Sequence, residues 1–177
     1  MLSIVQLIVD TIATILGGVL LLRFWMQAIR VRPPASVAQF TFTLSDWLVR
    51  PLRRIVPGVG GYDWASLLGA LLVVLLATSV FLLVPGMDGA SVAKLGLYRF
   101  LTWILYGFMA LLVVEALFSW INPQAPLAPF IRALNDPLLR PLRRVVPLLG
   151  GLDLSMLVAL IGLQIVHILL GMLFGYR

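Results

Sequence analysis

The chain has 177 residues, 62% of them hydrophobic and 11% charged, with a mean hydropathy of +1.08 and a formal net charge of +6. A soluble domain of this length needs a polar surface that so few charged residues cannot supply, so the composition is that of a membrane protein. The absence of cysteine excludes disulfides, thiolate metal sites and cysteine nucleophiles.

The first apolar run, Leu2–Leu22, continues to Ile29 and is long enough to cross a hydrocarbon core of about 30 Å as a helix. It has no basic leading segment and no small-residue cleavage site, so it reads as a span and not as a signal peptide. A polar loop follows, in which Val37, Phe40, Leu44, Trp47 and Leu48 share one helical face and predict a short amphipathic helix in the interface plane. The run RPLRRIVPGVGG, from Arg50, closes the loop. Pro51 is expected to stop the helix before it, Gly60-Gly61 to make a tight turn, and Asp63 to cap the next span, Trp64–Pro85.

A third span is expected over Phe100–Ile121. A second amphipathic segment follows, with Leu127, Phe130, Ile131, Leu134 and Leu138 on one face. The run RPLRRVVPLLGG, from Arg140, then repeats the punctuation: Pro141 as a stop, Gly150-Gly151 as a turn and Asp153 as the cap of a fourth span, Leu154–Phe174.

At an offset of ninety, Asp46, Arg50, Pro51, Arg53, Arg54 and Asp63 match Asp136, Arg140, Pro141, Arg143, Arg144 and Asp153. This is an internal duplication, dividing the chain into repeats over residues 1–90 and 91–177. Each repeat contains two spans, so both have the same orientation, and a pseudo-two-fold axis along the membrane normal is their expected relation. The predicted fold is all-α, with four transmembrane helices in two parallel two-helix repeats and short amphipathic interfacial helices on the cytoplasmic face.

Ten of the thirteen basic residues lie at or between spans one and two or spans three and four. By the positive-inside tendency both RPLRR loops are cytoplasmic and both termini extracytoplasmic. The basic residues punctuate apolar runs and form no stripe on a soluble face, so direct nucleic-acid binding is not expected.

The doubled pattern D-x-x-x-RPLRR-x-VP-x-x-GG-x-D, with LLLRFWMQ from Leu20 and FSWINP from Phe118, resembles the YggT (YlmG-like) family of bacterial inner membranes and plastids. The resemblance implies a multi-pass inner-membrane protein linked to tolerance of osmotic and ionic stress and to membrane or nucleoid organisation in division. For plastid relatives it implies a link to haem attachment during cytochrome b6 maturation. It brings no catalytic mechanism.

Three readings fit Arg50, Arg53, Arg54, Arg140, Arg143 and Arg144. They hold the loops inside during insertion; they pair with Asp46, Asp63, Asp136 or Asp153; or they dock an anionic lipid headgroup or a protein partner. Glu115, about two turns inside the third span, needs a partner. Its repeat counterpart is Trp25, two residues after Arg23, so an intramembrane Arg23–Glu115 ion pair is expected, the alternative being an ion-handling carboxylate facing a cavity. Asp10 reads as an interfacial carboxylate or an ion site, Gly17-Gly18 as close helix packing, and His167, the only histidine, as a helix contact or a haem ligand. No catalytic, cofactor or metal set is found. The expected partners are membrane lipids, anionic ones first, a membrane-protein partner and further copies of the chain. The function expected is a non-catalytic membrane organiser or assembly factor, the alternative a small, oligomeric ion channel or transporter subunit.

Overall fold

The computed structural model describes residues 2–83, 86–146 and 153–176. Six α-helices follow in order: α1 (Leu2–Ala28), α2 (Ala35–Ile55), α3 (Trp64–Ser79, extended by a 3-10 turn over Val80–Leu83), α4 (Gly89–Ile121), α5 (Ala128–Arg143) and α6 (Leu154–Phe174). Helices α1, α3 (with its 3-10 turn), α4 and α6 are long and apolar enough to cross a membrane. The architecture is therefore all-α and multi-pass, with the backbone polar groups of each span satisfied inside its own helix. The amphipathic α2 and α5 join the spans of each repeat at one end of the bundle, here termed the RPLRR side.

Two local expectations need correction. The prolines do not stop the loop helices. Helix α2 runs through Pro51 to Ile55, and α5 runs through Pro137 and Pro141 to Arg143. An internal proline costs about 3 kcal/mol. Just beyond Pro51, however, Leu52 packs on the core and Arg53 is held by Asp63, and these contacts keep the turn helical.

The third span starts at Gly89, eleven residues before Phe100. Asp88 caps it, accepting from the Ser91 N–H at 3.1 Å. Lys94 and Arg99 interrupt the apolar run, but neither interrupts the helix: Arg99 pairs with Asp10 on α1, and the Lys94 ammonium lies 5.9 Å from the Tyr176 ring centre. At 1.5 Å per residue, the 33 residues of α4 span about 50 Å, more than a hydrocarbon core needs.

The side of α2 buried in the bundle is not its most apolar one. Thr41, Ser45 and Val49 are fully buried, whereas Phe40 and Trp47 of the predicted apolar face are 58% and 65% exposed within the protein. The bundle takes the edge of the apolar arc where small residues sit, and there the Ser45 hydroxyl accepts from Arg23 of α1. In α5 the predicted Phe130 and Leu134 are buried, joined by Asn135 and Leu139.

Core packing is built on small residues. Gly17 lies directly against the Trp103 ring, where any Cβ would overlap it, and a Cβ on Gly96 would meet Leu75 at 2.6 Å. Small residues let helix backbones approach in lipid, where burial supplies no hydrophobic drive between helices. Leu20, Val49, Ala65, Ala70, Val74 and Phe100 form the main core.

Between the repeats the principal seam is α3 against α4. Helix α6 packs on α4 and α5 and makes no comparable contact with α1. The expected pseudo-two-fold relation would make those two pairings equivalent, so the described helices do not obey it. On the RPLRR side a second tie runs from α1 to α5: the Trp25 indole donates to the Leu134 carbonyl at 2.9 Å, beside Met26 and Phe130.

Candidate functional site

The charged residues of α2 and α5 form two clusters built on the same frame. In the first repeat Arg53 donates from Nε and Nη2 to Asp63 Oδ1 and Oδ2, at 3.2 and 2.6 Å. In the second, Arg143 Nε donates to Asp153 Oδ2 at 2.8 Å. Each clamp ties the last turn of an amphipathic helix to the residue before the next span. One turn earlier, Arg50 pairs with Asp46 and Arg140 with Asp136, both across a helical i,i+4 spacing. Asp46 and Arg50 lie four apart on α2, and Arg53 and Asp63 ten apart; an offset of ninety reproduces both spacings.

A charge from the preceding span completes each cluster, and its sign differs between the repeats. In the first it is Arg23 of α1, whose Nη1 donates to Ser45 Oγ at 2.6 Å and to Asp46 Oδ1 at 2.7 Å. Its Nε lies 3.4 Å from Asp63 Oδ2, and its guanidinium carbon 4.8 Å from the Phe42 ring centre. In the second it is Glu115 of α4, which accepts from Arg143 Nη2 at 3.2 Å.

Arg23 and Glu115 therefore do not pair with each other, contrary to the sequence expectation. Similar depth in two spans does not bring side chains together. Each repeat's own loop helix reaches its spanning charge first, and Arg23 and Glu115 are left 5% and 4% exposed within separate clusters. The first cluster carries Arg23, Arg50 and Arg53 against Asp46 and Asp63, three positive charges to two negative. The second carries Arg140 and Arg143 against Asp136, Asp153 and Glu115, two to three.

The pairing shifts the carboxyl groups. The hydrogen bond from Arg23 holds Asp46 below its ordinary value against some desolvation, with Arg50 assisting. Burial pushes Asp63 and Asp153 up, but their arginine partners and nearby serines outweigh it and leave both below the ordinary carboxylate range. Arg53 is raised, chiefly by its bond to Asp63. For Arg143 burial acts downward, and Asp153 with Glu115 outweighs it to leave the group raised.

As caps the two aspartates differ. Asp153 accepts from the Ser155 N–H at 3.0 Å. The Asp63 side chain takes Arg53 and the Ser66 hydroxyl instead and bonds no backbone N–H. Its turn is as expected: Gly60 and Gly61 both have positive φ (+69° and +83°) between Val59 and Tyr62, the geometry that glycine adopts without steric cost. Pro147, Gly150 and Gly151 lie outside the described residues.

Arg54 and Arg144 are exposed, and among the described residues no carboxylate pairs with either. Arg50 and Arg140 are also largely exposed, at 78% and 68% of their side chains. One side of the bundle thus presents guanidinium groups outward on a frame of inward ion pairs. His167 faces Tyr106, with Nε2 3.4 Å from the phenol oxygen. Among the described residues no three His, Cys, Asp or Glu side chains gather as a metal site.

Sequence reasoning missed the partners of Arg23 and Glu115 and the Asp10–Arg99 pair. The shared spacing of ten between Arg53 and Asp63 and between Arg143 and Asp153 was the available signal for the clamps. Nothing local pointed to the contacts between spans.

The CCB3/YggT family model matches residues 1–84 and again residues 95–174. The chain is 32% identical to an uncharacterised protein of the proC 3′ region of Vibrio alginolyticus, over 95% of this chain and 94% of that protein. It is 30% identical to the uncharacterised protein YggT of Escherichia coli K12, over 90% and 85% of the two chains. No solved structure matches it. The two matched segments each contain one clamp and the charge of the preceding span that joins it, and the chain belongs to the CCB3/YggT family.

Proposed function

We propose that this protein is a non-catalytic, multi-pass component of the bacterial inner membrane that organises or helps assemble other membrane components and supports osmotic and ionic stress tolerance. It acts through the RPLRR side, which faces the cytoplasm and recognises anionic lipid or a membrane-protein partner; both termini are extracytoplasmic. The repeats over residues 1–90 and 91–177 each contribute one half of this surface. The observation that carries the reading is the repeated clamp, Arg53–Asp63 and Arg143–Asp153, which leaves Arg54 and Arg144 exposed at the same end of the bundle. Charge bias for insertion alone would not require such a frame.

Arg54 and Arg144 are the residues to change, because neither makes an ion pair among the described residues. Arg54→Gln with Arg144→Gln should weaken association with phosphatidylglycerol vesicles about fivefold per residue, since each basic group near an anionic surface contributes about 1 kcal/mol. The same variant should lower growth at high osmolarity. Unchanged vesicle binding and growth, with the protein inserted and folded, would reduce the clusters to topogenic signals. Cysteines at Arg54 and Gly89 test orientation: a membrane-impermeant reagent should label only the second in intact cells.

A second reading, an oligomeric ion-channel subunit, draws on one observation: Glu115 Oε2 is buried and has no hydrogen-bond partner among the described residues. Ion flux through proteoliposomes that Glu115→Gln abolishes would favour it.

A further inference from the structure

Away from the RPLRR clusters, helices α1 and α4 leave a cleft between them. Two cavities, of about 500 and 360 Å³, lie along the same seam and share Gly18, Trp103 and Gly107 in their linings. On α1 the lining residues Thr14, Gly18, Leu21, Leu22 and Trp25 form one helical stripe. On α4 the facing stripe runs from Arg99 through Trp103, Gly107 and Leu111 to Val114. The two cavities are therefore two ends of one groove.

The ends differ in chemistry. Toward the helix N-termini the groove is lined by Thr14, Tyr98, Arg99, Thr102 and Tyr106. Arg99 pairs there with Asp10, so the guanidinium is already neutralised. Thr102 is nine-tenths buried, and its hydroxyl has no hydrogen-bond partner. The other end is apolar, lined by Leu21, Leu22, Trp25, Ile104, Phe108 and Leu111.

Depth narrows the occupant. Asp10 and Arg99 each stand six residues, about 9 Å of helix rise, before the middle of their helices, Ile4–Ala28 and Gly89–Ile121; with the helix middles at the bilayer midplane, that lies inside a hydrocarbon half-thickness of about 15 Å. Trp25 stands nine residues beyond the middle of its span, about 13 Å on the other side. An acyl chain of a phospholipid from the nearer leaflet ends near the midplane, and its phosphate would remain well outside the polar end. A charged head would find no uncompensated cation. The groove instead suits a flat, uncharged head that accepts hydrogen bonds among aromatic rings, followed by a tail long enough to cross the midplane.

We propose that the α1–α4 seam binds an isoprenoid quinone, its ring carbonyls at Thr14, Arg99 and Thr102 beside Trp103 and its tail along Leu21, Leu22 and Trp25. The proposal is of binding, and it is independent of the function assigned to the RPLRR side.

The test uses the full-length protein in phosphatidylcholine nanodiscs titrated with a long-tailed ubiquinone, followed by tryptophan emission. Trp25 and Trp103 line the groove, so quenching should saturate. Gly18 and Gly107 face open space, where an added Cβ meets nothing within 4 Å, so Gly18→Leu with Gly107→Leu puts side chains into the groove with no overlap at Cβ. That variant should lose at least about tenfold in affinity, since the tail has no other place in the seam. Gly162→Leu, another open position on α6, should bind as the parent does.

Thr102→Val removes the unpartnered hydroxyl at nearly constant volume. It should keep the parent's thermal stability and weaken quinone binding about three- to tenfold, the loss expected for one hydrogen bond. It therefore decides the question even if the double leucine variant fails to fold. Quenching that rises linearly with quinone and is identical in the Thr102→Val and parent proteins would overturn the proposal. So would saturable quenching by a phosphatidylcholine brominated on its acyl chains that displaces the quinone, because the groove would then be an ordinary lipid site.

Discussion

Arg53 meets both carboxylate oxygens of Asp63, ten residues further on, and so ties the last turn of α2 to the start of α3. The Asp63 side chain is 1% exposed and that of Arg53 45%, so solvent screens one partner and not the other. The clamp thus depends mainly on what surrounds Asp63, which includes Arg23 as well.

Asp63→Asn should destabilise the protein by about 3 kcal/mol, because Arg23 is left buried with one counter-charge removed. Asp136→Asn, which frees only the exposed Arg140, should cost less than about 1 kcal/mol. Denaturant unfolding in mild detergent distinguishes the two. Equal losses would mean that burial of the pair is not what matters.

Glu115 and Arg143 share a bond, whereas Glu115 and Arg23 share no partner. A double-mutant cycle on Glu115→Gln and Arg143→Gln should show coupling of about 1 kcal/mol or more, and one on Glu115→Gln and Arg23→Gln should be additive within about 0.5 kcal/mol. Coupling in the second cycle would mean that the two clusters communicate across the repeat seam.

Stability should depend on pH through Asp46, Asp63 and Asp153, all held below their ordinary values in the fold. In the acid range the unfolded chain then binds more protons than the folded one, so stability rises with pH until the unfolded carboxyls ionise near about 3.9 and is flat above. The melting temperature should be level from neutral pH to about 5 and fall once the pH drops below about 4. Asp63→Asn should flatten part of that acid slope.

Arg30 has a φ of +57° in the turn that ends α1, where the Val31 N–H returns to the Met26 carbonyl and the Arg30 N–H to that of Gln27. This is the left-handed position where glycine is the usual residue. Arg30→Gly should therefore raise stability by about 0.5–1 kcal/mol, the steric relief exceeding the entropy that glycine adds to the unfolded chain. A lower melting temperature would instead show that the Arg30 side chain, which lies about 4.0 Å from where a Gly61 Cβ would be, contributes more than its backbone costs.

Membrane residence, the four spans, the two amphipathic connectors and the duplication were all legible in the sequence. Each follows from a local quantity: the length of an apolar run, the period of its side chains, or the offset between two similar motifs. Even the glycine turn at Gly60-Gly61 is a property of the residues that make it. The tertiary structure alone decided which partners the charges inside the spans meet. Arg23 bonds to Asp46 and Ser45 because α2 folds back across α1, and Arg99 bonds to Asp10 because two spans lie side by side. It also overrode the prolines, since packing of Leu52 and the Arg53 clamp act from outside the helix that Pro51 weakens. Periodicity records which face of a helix is apolar. It holds no information about the neighbour that face will find, so Thr41, Ser45 and Val49 turned inward while Phe40 and Trp47 remained outside.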